Sequence, residues 1–167
     1  MKRIRILFCI NYMHMGGVER SLIALLRALP RDCFEPHVAL ERGMGELMDE
    51  IPQDVPVHVL RDIERNYDRL SRPLACGSMA DRISYLAAKF RGTLVPYYSR
   101  VLRREKHLTE HFDIAVAYQG PNELLDWYVG EHINADRRAG WIHFDVERCC
   151  INRRTVRRVY PRLDRVF

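Results

Sequence analysis

The chain alternates short, continuously apolar segments with longer amphipathic ones, and this alternation limits the folds it can adopt. The apolar segments have the length of strands and lie at residues 3–10, 34–41, 55–60, 112–119 and 137–144. A strand that is apolar along its whole length is typical of a parallel sheet covered on both faces. The sequence therefore predicts an α/β protein with a Rossmann-like, doubly wound, mostly parallel sheet and helices on both faces.

Helical spacing fills the intervals between these strands. Leu22, Leu25, Leu26 and Leu29 recur at helical spacing after Val18, and residues 45–51 predict a short helix. Residues 61–111 show no strand pattern, and helical spacing runs from about 79 to 108, where we expect Pro96 to separate two helices. Residues 164–167, "DRVF", read as the start of another strand, so we expect the native protein to continue beyond them.

Length and cysteine content indicate one soluble domain. A chain of 167 residues with 47% apolar and 29% charged residues can bury one substantial core. The first apolar run ends at Asn11 without a small-residue cleavage site, so we interpret it as a strand and not as a signal peptide. The five cysteines form no Cys-x-x-Cys pair, which predicts a cytoplasmic protein without a disulfide framework. The adjacent Cys149 and Cys150 leave a soft-metal site open.

Two glycines, Gly16 and Gly17, stand between the first strand and the first helix. Ligands of doubly wound sheets bind at the carboxyl ends of the strands, and a helix N-terminus attracts anions such as phosphate. Close packing of strand against helix is the alternative reason for glycine here. A P-loop is excluded because no G-K-[ST] occurs, and the dinucleotide fingerprint G-x-G-x-x-G is incomplete, although Glu41 ends the second strand where a ribose-binding acid is expected.

Several segments resemble, in the right order, the N-terminal domain of family 4 glycosyltransferases of the GT-B fold. The first stretch is "RILFCINYMHMGGVERSLIALLRALPRDCFEPHVAL" followed by "GELMDEIPQDVPVHVL", and it contains the G-G-x-E-R turn. Later stretches are "FDIAVAYQGPNELLDWYV", "GWIHFDV" and "RRVYPRLDRVF". The likeness covers about residues 3–60 and 112–167 and leaves the middle of the chain unmatched.

The resemblance implies one half of a two-domain enzyme. Residues 1–167 would form the N-terminal acceptor-side domain, with a basic helical insertion at about 61–111, and the C-terminal domain that binds the nucleotide sugar would be absent from this chain. The parent would move a sugar, with retention of anomeric configuration and without metal or other cofactor, to a saccharide or lipid-linked acceptor. This chain alone would then be inactive. A stand-alone Rossmann-like ligand-binding or interaction module is the alternative, and a nicotinamide-dependent oxidoreductase comes third.

The resemblance also assigns roles to particular residues. It implies that the amides of Gly16 and Gly17 face the donor diphosphate and that His143 is the catalytic residue that contacts the transferred sugar. Other polar residues near strand ends are candidates for binding the acceptor or sugar, with plain rim packing as the alternative: His14, Tyr118, Gln119 and Asp145. No metal ligands are predicted. The family's donor motif E-x7-E occurs as Glu123 and Glu131, but on an amphipathic helix of the wrong half, so we reject it.

Residues 82–107 carry seven arginines and lysines against one glutamate, a net charge of +6 in a chain whose total is +5. Aromatic residues are interleaved with these charges, at Tyr85, Phe90, Tyr97 and Tyr98. A solvated helix face is one interpretation, and peripheral contact with an anionic membrane, as in several members of the family, is another. Nucleic-acid binding is not predicted, because no nucleic-acid motif accompanies the charge.

Overall fold

A computed structural model describes residues 2–145 and 152–167. The described residues form a six-stranded sheet in the order β3-β2-β1-β4-β5-β6, and all of its strand pairs are parallel. The strands are β1 Ile4–Ile10, β2 Phe34–Leu40, β3 Val57–Val59, β4 His111–Gly120, β5 Asn134–Ile142 and β6 Arg165–Val166. The predicted fold class, a Rossmann-like parallel α/β protein, is confirmed.

Helices lie between the strands in chain order. They are α1 Gly17–Ala28, α2 Arg61–Arg65, α3 Tyr67–Ser71, α4 Pro73–Cys76, α5 Met79–Arg91, α6 Val95–Leu102, α7 Glu123–Glu131 and α8 Arg153–Val159. The short helix predicted at 45–51 is a single 3-10 turn, Met48–Glu50, and a second such turn is Tyr160–Arg162. Residues 61–111 hold α2 to α6 and form the crossover from β3 to β4.

Two helices are present here as expected, but Pro96 is not the residue that separates them. Helix α5 ends at Gly92, whose φ of 71° lies in the left-handed region that glycine adopts without strain. Pro96 lies in the first turn of α6, where its missing N–H costs no intrahelical bond. A glycine therefore separates the two helices, and the proline begins the second.

The sheet is buried on both faces, as its apolar strands predict. Adjacent residues of β1 point into different cores. Leu7 packs with Trp127 and Tyr128 on one face. Phe8 packs with Leu22 and other residues of α1 on the opposite face. The crossover helices cover the first face, so the long segment without strands completes the core on that side.

The strand order places a switch point between β1 and β4. The chain runs from β1 to β2 and β3 on one side of the sheet and from β4 to β5 and β6 on the other. Loops that leave the carboxyl ends of β1 and β4 therefore diverge and leave a crevice between them. The glycine turn lies at this carboxyl edge of the sheet, formed by the ends of β1, β4 and β5.

The loop after β2 is tied to the loop after β1 at one glycine. Gly45 has a φ of 130°, and a Cβ there would overlap the main chain of Met13. Met13 N donates to Met44 O at 2.9 Å, and Leu47 N donates to Met13 O at 2.8 Å, so neither loop can shift without losing these bonds.

We expect Gly45→Ala to lower the free energy of unfolding by about 1–3 kcal/mol, because alanine is strained at this φ and meets backbone. Gly17→Ala is the matched control, since no described atom lies within 4 Å of its Cβ position. We expect its effect to stay within about 0.5 kcal/mol. Urea unfolding of both variants measures the difference, and equal losses would contradict this account of Gly45.

Candidate functional site

Three strands bring polar residues together at the switch point. The glycine turn follows β1, Gln119 lies at the end of β4, and His143 follows β5. The main-chain N of Asn11 donates to Gln119 Oε1 at 3.1 Å, and Asn122 Nδ2 donates to Asn11 Oδ1 at 2.8 Å. The predicted site residues from β1, β4 and β5 therefore share one edge, and Asn11 connects two of its loops.

His143 lies in an aromatic environment at this edge. Its ring centroid is 4.5 Å from that of Tyr118, and it stacks on Trp141 at 5.8 Å with an interplanar angle of 6°. Burial lowers the pKa of His143, while the charge of Glu19 and the backbone of Tyr118 oppose this shift. Its Nε2 is buried and has no hydrogen-bond partner among the described residues. His143 is thus a neutral imidazole whose Nε2 has no partner among the described residues, and a ligand reaches this buried nitrogen only when the groups that cover it move aside.

The ring of Tyr118 packs against the imidazole of His143. Its side chain is almost fully buried, and its hydroxyl lies 3.0 Å from Ser21 Oγ on α1. Burial raises the pKa of Tyr118, and the bond to Ser21 opposes the shift, so the phenol stays neutral. In this conformation an acceptor would reach the hydroxyl only by displacing Ser21.

The two glycines have different surroundings. A Cβ at Gly16 would overlap Glu19 Oε2, whereas no described atom lies within 4 Å of the Cβ position of Gly17. Glu19 is only 5% exposed, and Gln119 Nε2 donates to its Oε1 at 3.4 Å. A side chain at Gly16 would therefore displace the carboxylate of Glu19, whereas Gly17 leaves open space at the start of α1.

The carboxylate of Glu19 affects what this turn can bind. The first amides of α1 have no intrahelical acceptor, and the helix dipole makes this end positive. Glu19, in the first turn, already compensates part of that positive charge. A phosphate beside Gly17 would lie close to this carboxylate and would be attracted less than by an uncompensated helix end.

His14 and Asp145 lie farther from the centre of the edge. His14 is exposed in the loop after β1, and its Nδ1 is 2.9 Å from Glu46 Oε2. That hydrogen bond lowers the pKa of Glu46. Asp145 is exposed just after β5, and it directly precedes residues 146–151. Cys149 and Cys150, the adjacent pair for which a soft-metal site is an open alternative and not a prediction, lie outside the described residues.

Glu41, at the position of a ribose-binding acid, is shielded from any ligand. It is 4% exposed, and its Oε1 has no hydrogen-bond partner in the part of the chain that the structure describes. Burial raises the pKa of Glu41 to about 7. Its charge also contributes to the raised pKa values of Cys9 and Tyr98, which places it beside the core.

Sequence reasoning missed three residues of this edge: Asn11, Glu19 and Asn122. Asn122 carries a local signal, because its Oδ1 accepts from Leu124 N and Leu125 N and so caps α7. The burial of Glu19 carries none, since it depends on contact with β4. The rejected E-x7-E pair lies on α7, where Glu131 pairs with Arg162 at 2.8 Å.

Comparison with models of known protein families finds no match to this chain, and comparison with curated protein sequences finds none either. The residues of this edge and the motif resemblance are therefore what indicate a function.

We expect Glu41→Gln to change the pH dependence of stability. The folded-state pKa of about 7 exceeds the ordinary value of 4.5, so unfolding releases a proton between these pH values and stability falls as pH rises through them. Above pH 7 the variant should be more stable than the wild type by up to roughly 3 kcal/mol. Below about pH 4.5 the two should agree, because the carboxyl is then protonated in both states.

Chemical denaturation from about pH 4 to 8, a range that spans the ordinary and the raised carboxyl pKa, measures this difference. Glu46→Gln is the control, because the Glu46 carboxyl is exposed and its pKa is lowered and not raised. Glu46→Gln should give no gain at high pH. A constant offset between Glu41→Gln and the wild type at every pH would contradict the assigned pKa.

Proposed function

We propose that this chain is the acceptor-side domain of a retaining, metal-independent glycosyltransferase that moves a sugar from a nucleotide sugar to a saccharide or lipid-linked acceptor. The observation that carries the proposal is the neutral imidazole of His143 with its unpartnered Nε2, at the same edge as the open glycine Gly17. The motif resemblance supplies the class of reaction.

Each residue of the edge has a distinct role in this proposal. His143 forms a hydrogen bond with a hydroxyl of the transferred sugar through Nε2. The free amides at the start of α1 face the donor diphosphate, and Gln119 binds acceptor hydroxyls, as do His14 and Asp145 at the rim. A C-terminal domain of the same parent protein is the partner that binds the nucleotide, as the family resemblance implies.

A stand-alone ligand-binding or interaction module is the second candidate function. One observation favours it: polar side chains of the edge already bond with one another, through Asn11, Gln119, Glu19 and Asn122. Such a network can be complete without a second domain. The two candidates differ in whether the native protein transfers sugar.

Sugar transfer by the intact native protein tests the proposal. We expect transfer from a nucleotide sugar, with retained anomeric configuration by NMR and no loss in the presence of a metal chelator. His143→Ala should lower kcat by about 100-fold, as expected for loss of a group that bonds to the reacting sugar. His111→Ala is the control, because His111 is exposed at the start of β4 and pairs with Asp136 at 3.0 Å.

Two outcomes oppose the proposal. A native mass equal to the 19.8 kDa of this chain would mean that no donor domain is covalently attached, and would favour the stand-alone module. Full activity of His143→Ala, with His111→Ala also active, would remove His143 from the site. Circular dichroism of both variants separates loss of fold from loss of chemistry.

A second part of the proposal concerns α5, which turns an apolar stripe toward solvent. Met79, Ile83, Leu86 and Phe90 follow one another at spacings of four, three and four residues and are all exposed, Phe90 by 92%. Residues at these spacings share one helix face. Arg82 and other basic residues flank the stripe. An apolar stripe with basic flanks favours the membrane interpretation of this segment over a purely solvated helix.

Apart from the stripe, residues 82–107 contribute tyrosines to the core and basic side chains to the surface. Tyr97 and Tyr98 are buried and Tyr85 is half-buried, so three of the four interleaved aromatics serve packing. Arginines line a cavity of about 490 Å³ beside α5, together with Asp81 and Glu105: Arg69, Arg100, Arg103 and Arg104. Arg69 and Arg100 pair with Asp81, which lies on the face of α5 opposite the stripe, so this cavity adds positive charge to the region without belonging to the stripe. Among the described residues, no helix has the length and hydropathy to cross a bilayer.

We expect Ile83→Asp combined with Phe90→Asp to weaken binding to vesicles that contain anionic lipid by about tenfold or more, because two apolar side chains no longer enter the interface. Phe144→Asp is the control, since Phe144 is also exposed but lies after β5. Co-sedimentation at two salt concentrations measures the affinity, which should fall as salt screens the arginines. Equal binding by the double variant and the wild type would oppose membrane contact through α5.

A further inference from the structure

Two histidines from neighbouring strands meet on the face of the sheet that the crossover helices cover. His37 lies on β2 and His58 on β3, where His58 is paired with Ala39. His37 Nδ1 is 3.0 Å from His58 Nε2, and the edge of the His37 ring packs on Phe112. These residues come from β2, β3 and the start of β4, and none of them belongs to the carboxyl edge that holds His143.

Each imidazole has a carboxylate at its far nitrogen. His37 Nε2 is 3.2 Å from Glu35 Oε1, and His58 Nδ1 is 3.6 Å from Glu110 Oε1. The hydrogen bond with His37 lowers the pKa of Glu35, so this carboxylate is ionised at neutral pH and accepts from His37 Nε2–H. A carboxylate beside His58 Nδ1 favours the hydrogen on that nitrogen for the same electrostatic reason.

The near nitrogens then face each other without a hydrogen. With Nε2–H on His37 and Nδ1–H on His58, the lone pairs of His37 Nδ1 and His58 Nε2 converge at 3.0 Å. Two lone pairs at this distance repel unless a positive charge lies between them.

We propose that His37, His58 and Glu110 bind a divalent transition-metal ion, with Zn²⁺ as the reference ion. Each of these side chains offers one ligand atom, and the three atoms lie within 4.8 Å of one another. Glu110 is 3.6 Å from His58 Nδ1, too far for a hydrogen bond, and in binding the ion its carboxylate would leave that nitrogen and turn to the metal. Two nitrogens that bind one tetrahedral Zn²⁺ stand roughly 3.3 Å apart, close to the separation of the two imidazoles. Glu35 supplies the carboxylate that commonly orients a metal-binding histidine from behind.

Arginines limit the affinity of this cluster. Arg5 NH2 is 2.9 Å from Glu110 Oε2, and Arg5 Nε is 3.4 Å from Glu35 Oε1. Arg3 NH2 is 3.0 Å from Glu35 Oε2. Their positive charges repel a cation, and Glu110 must serve both Arg5 and the ion. Replacing Arg5 by glutamine should therefore strengthen metal binding, whereas replacing a ligand should weaken it.

A bound ion would join the edge strand to the rest of the sheet. Strand β3 has only three residues and pairs with β2 alone among the described strands. The ion would connect it, through His58, to β2 and to the residue before β4. It takes no part in the proposed sugar transfer, and its expected effect is a higher melting temperature of the chain.

Titration of the full chain with Zn²⁺ against a chromophoric chelator tests the proposal. Thiols compete for Zn²⁺, so the exposed Cys33 and Cys76 and the adjacent Cys149 and Cys150 are first replaced by serine. We expect one Zn²⁺ per chain, and binding that weakens as pH falls and the imidazoles take up protons. Co²⁺ in place of Zn²⁺ should give a visible spectrum without a thiolate charge-transfer band.

Variants locate the site within the chain. His58→Gln should lower the affinity by more than about 100-fold, and Glu35→Gln by about 10- to 100-fold, because Glu35 orients a ligand without being one. Arg5→Gln should raise the affinity. His111→Gln is the matched control, since His111 is an exposed histidine that follows Glu110 in the chain and pairs with Asp136, and the variant should bind Zn²⁺ as the wild type does.

Three results would overturn the proposal. One is the absence of Zn²⁺ binding by the serine-substituted chain at neutral pH, which would leave a proton shared by the two imidazoles. Another is unchanged affinity in His58→Gln. The third is equal loss in His58→Gln and His111→Gln. If His58→Gln does not fold, the serine-substituted chain with His37 and His58 intact still tests the proposal. Its melting temperature should rise when Zn²⁺ is added at neutral pH and should not rise at low pH.

Discussion

The structure depends on the burial of one parallel sheet on both of its faces. Adjacent residues such as Leu7 and Phe8 point to opposite sides, and both are buried. The central strands therefore have little room for polar side chains, and polar chemistry collects at the carboxyl ends of the strands and at the lateral edge of the sheet. The carboxyl ends hold the turn with Gly17 and the imidazole of His143, whereas the pair His37 and His58 lies midway along β2 and the edge strand β3.

Polar groups that are buried away from these ends differ in how well they are satisfied. Asp62, on α2, accepts from Tyr128 OH at 2.7 Å and lies 2.7 Å from His107 Nδ1. This network ties the first crossover helix to α7, across the core. Glu41 has an oxygen that no other described residue binds, and burial raises its pKa to about 7. The first arrangement stabilises the native state near neutral pH, whereas the second costs stability once the carboxyl ionises.

The exposed apolar stripe of α5 is held by a firmly anchored helix. Ser78 and Asp81 form a capping box at its start, and Arg69 pairs with Asp81 at 3.1 Å. Although burial alone would raise the pKa of Asp81, hydrogen bonds from Arg69 and Ser78 lower it to about 2. The helix is thus fixed in rotation, and Phe90 is directed to solvent by this anchoring. An interaction surface is a better account of such a stripe than loose packing.

The sequence by itself determined the fold class, because hydrophobic periodicity is a local property that the geometry of strands and helices imposes. The sequence located the strands correctly but not the residues at which they begin and end. Strand β5 begins at Asn134, earlier than predicted, because Arg137 and Arg138 interrupt the apolar pattern. Arg137 donates to Asp164, and Arg138 donates to the main-chain oxygens of Val129 and Ile133. Only the tertiary structure brings these acceptors to the strand. The tertiary structure alone also decided the burial of Glu19 and the meeting of His37 with His58. Contacts between residues so far apart in the chain follow from strand order and register, and no local pattern encodes them.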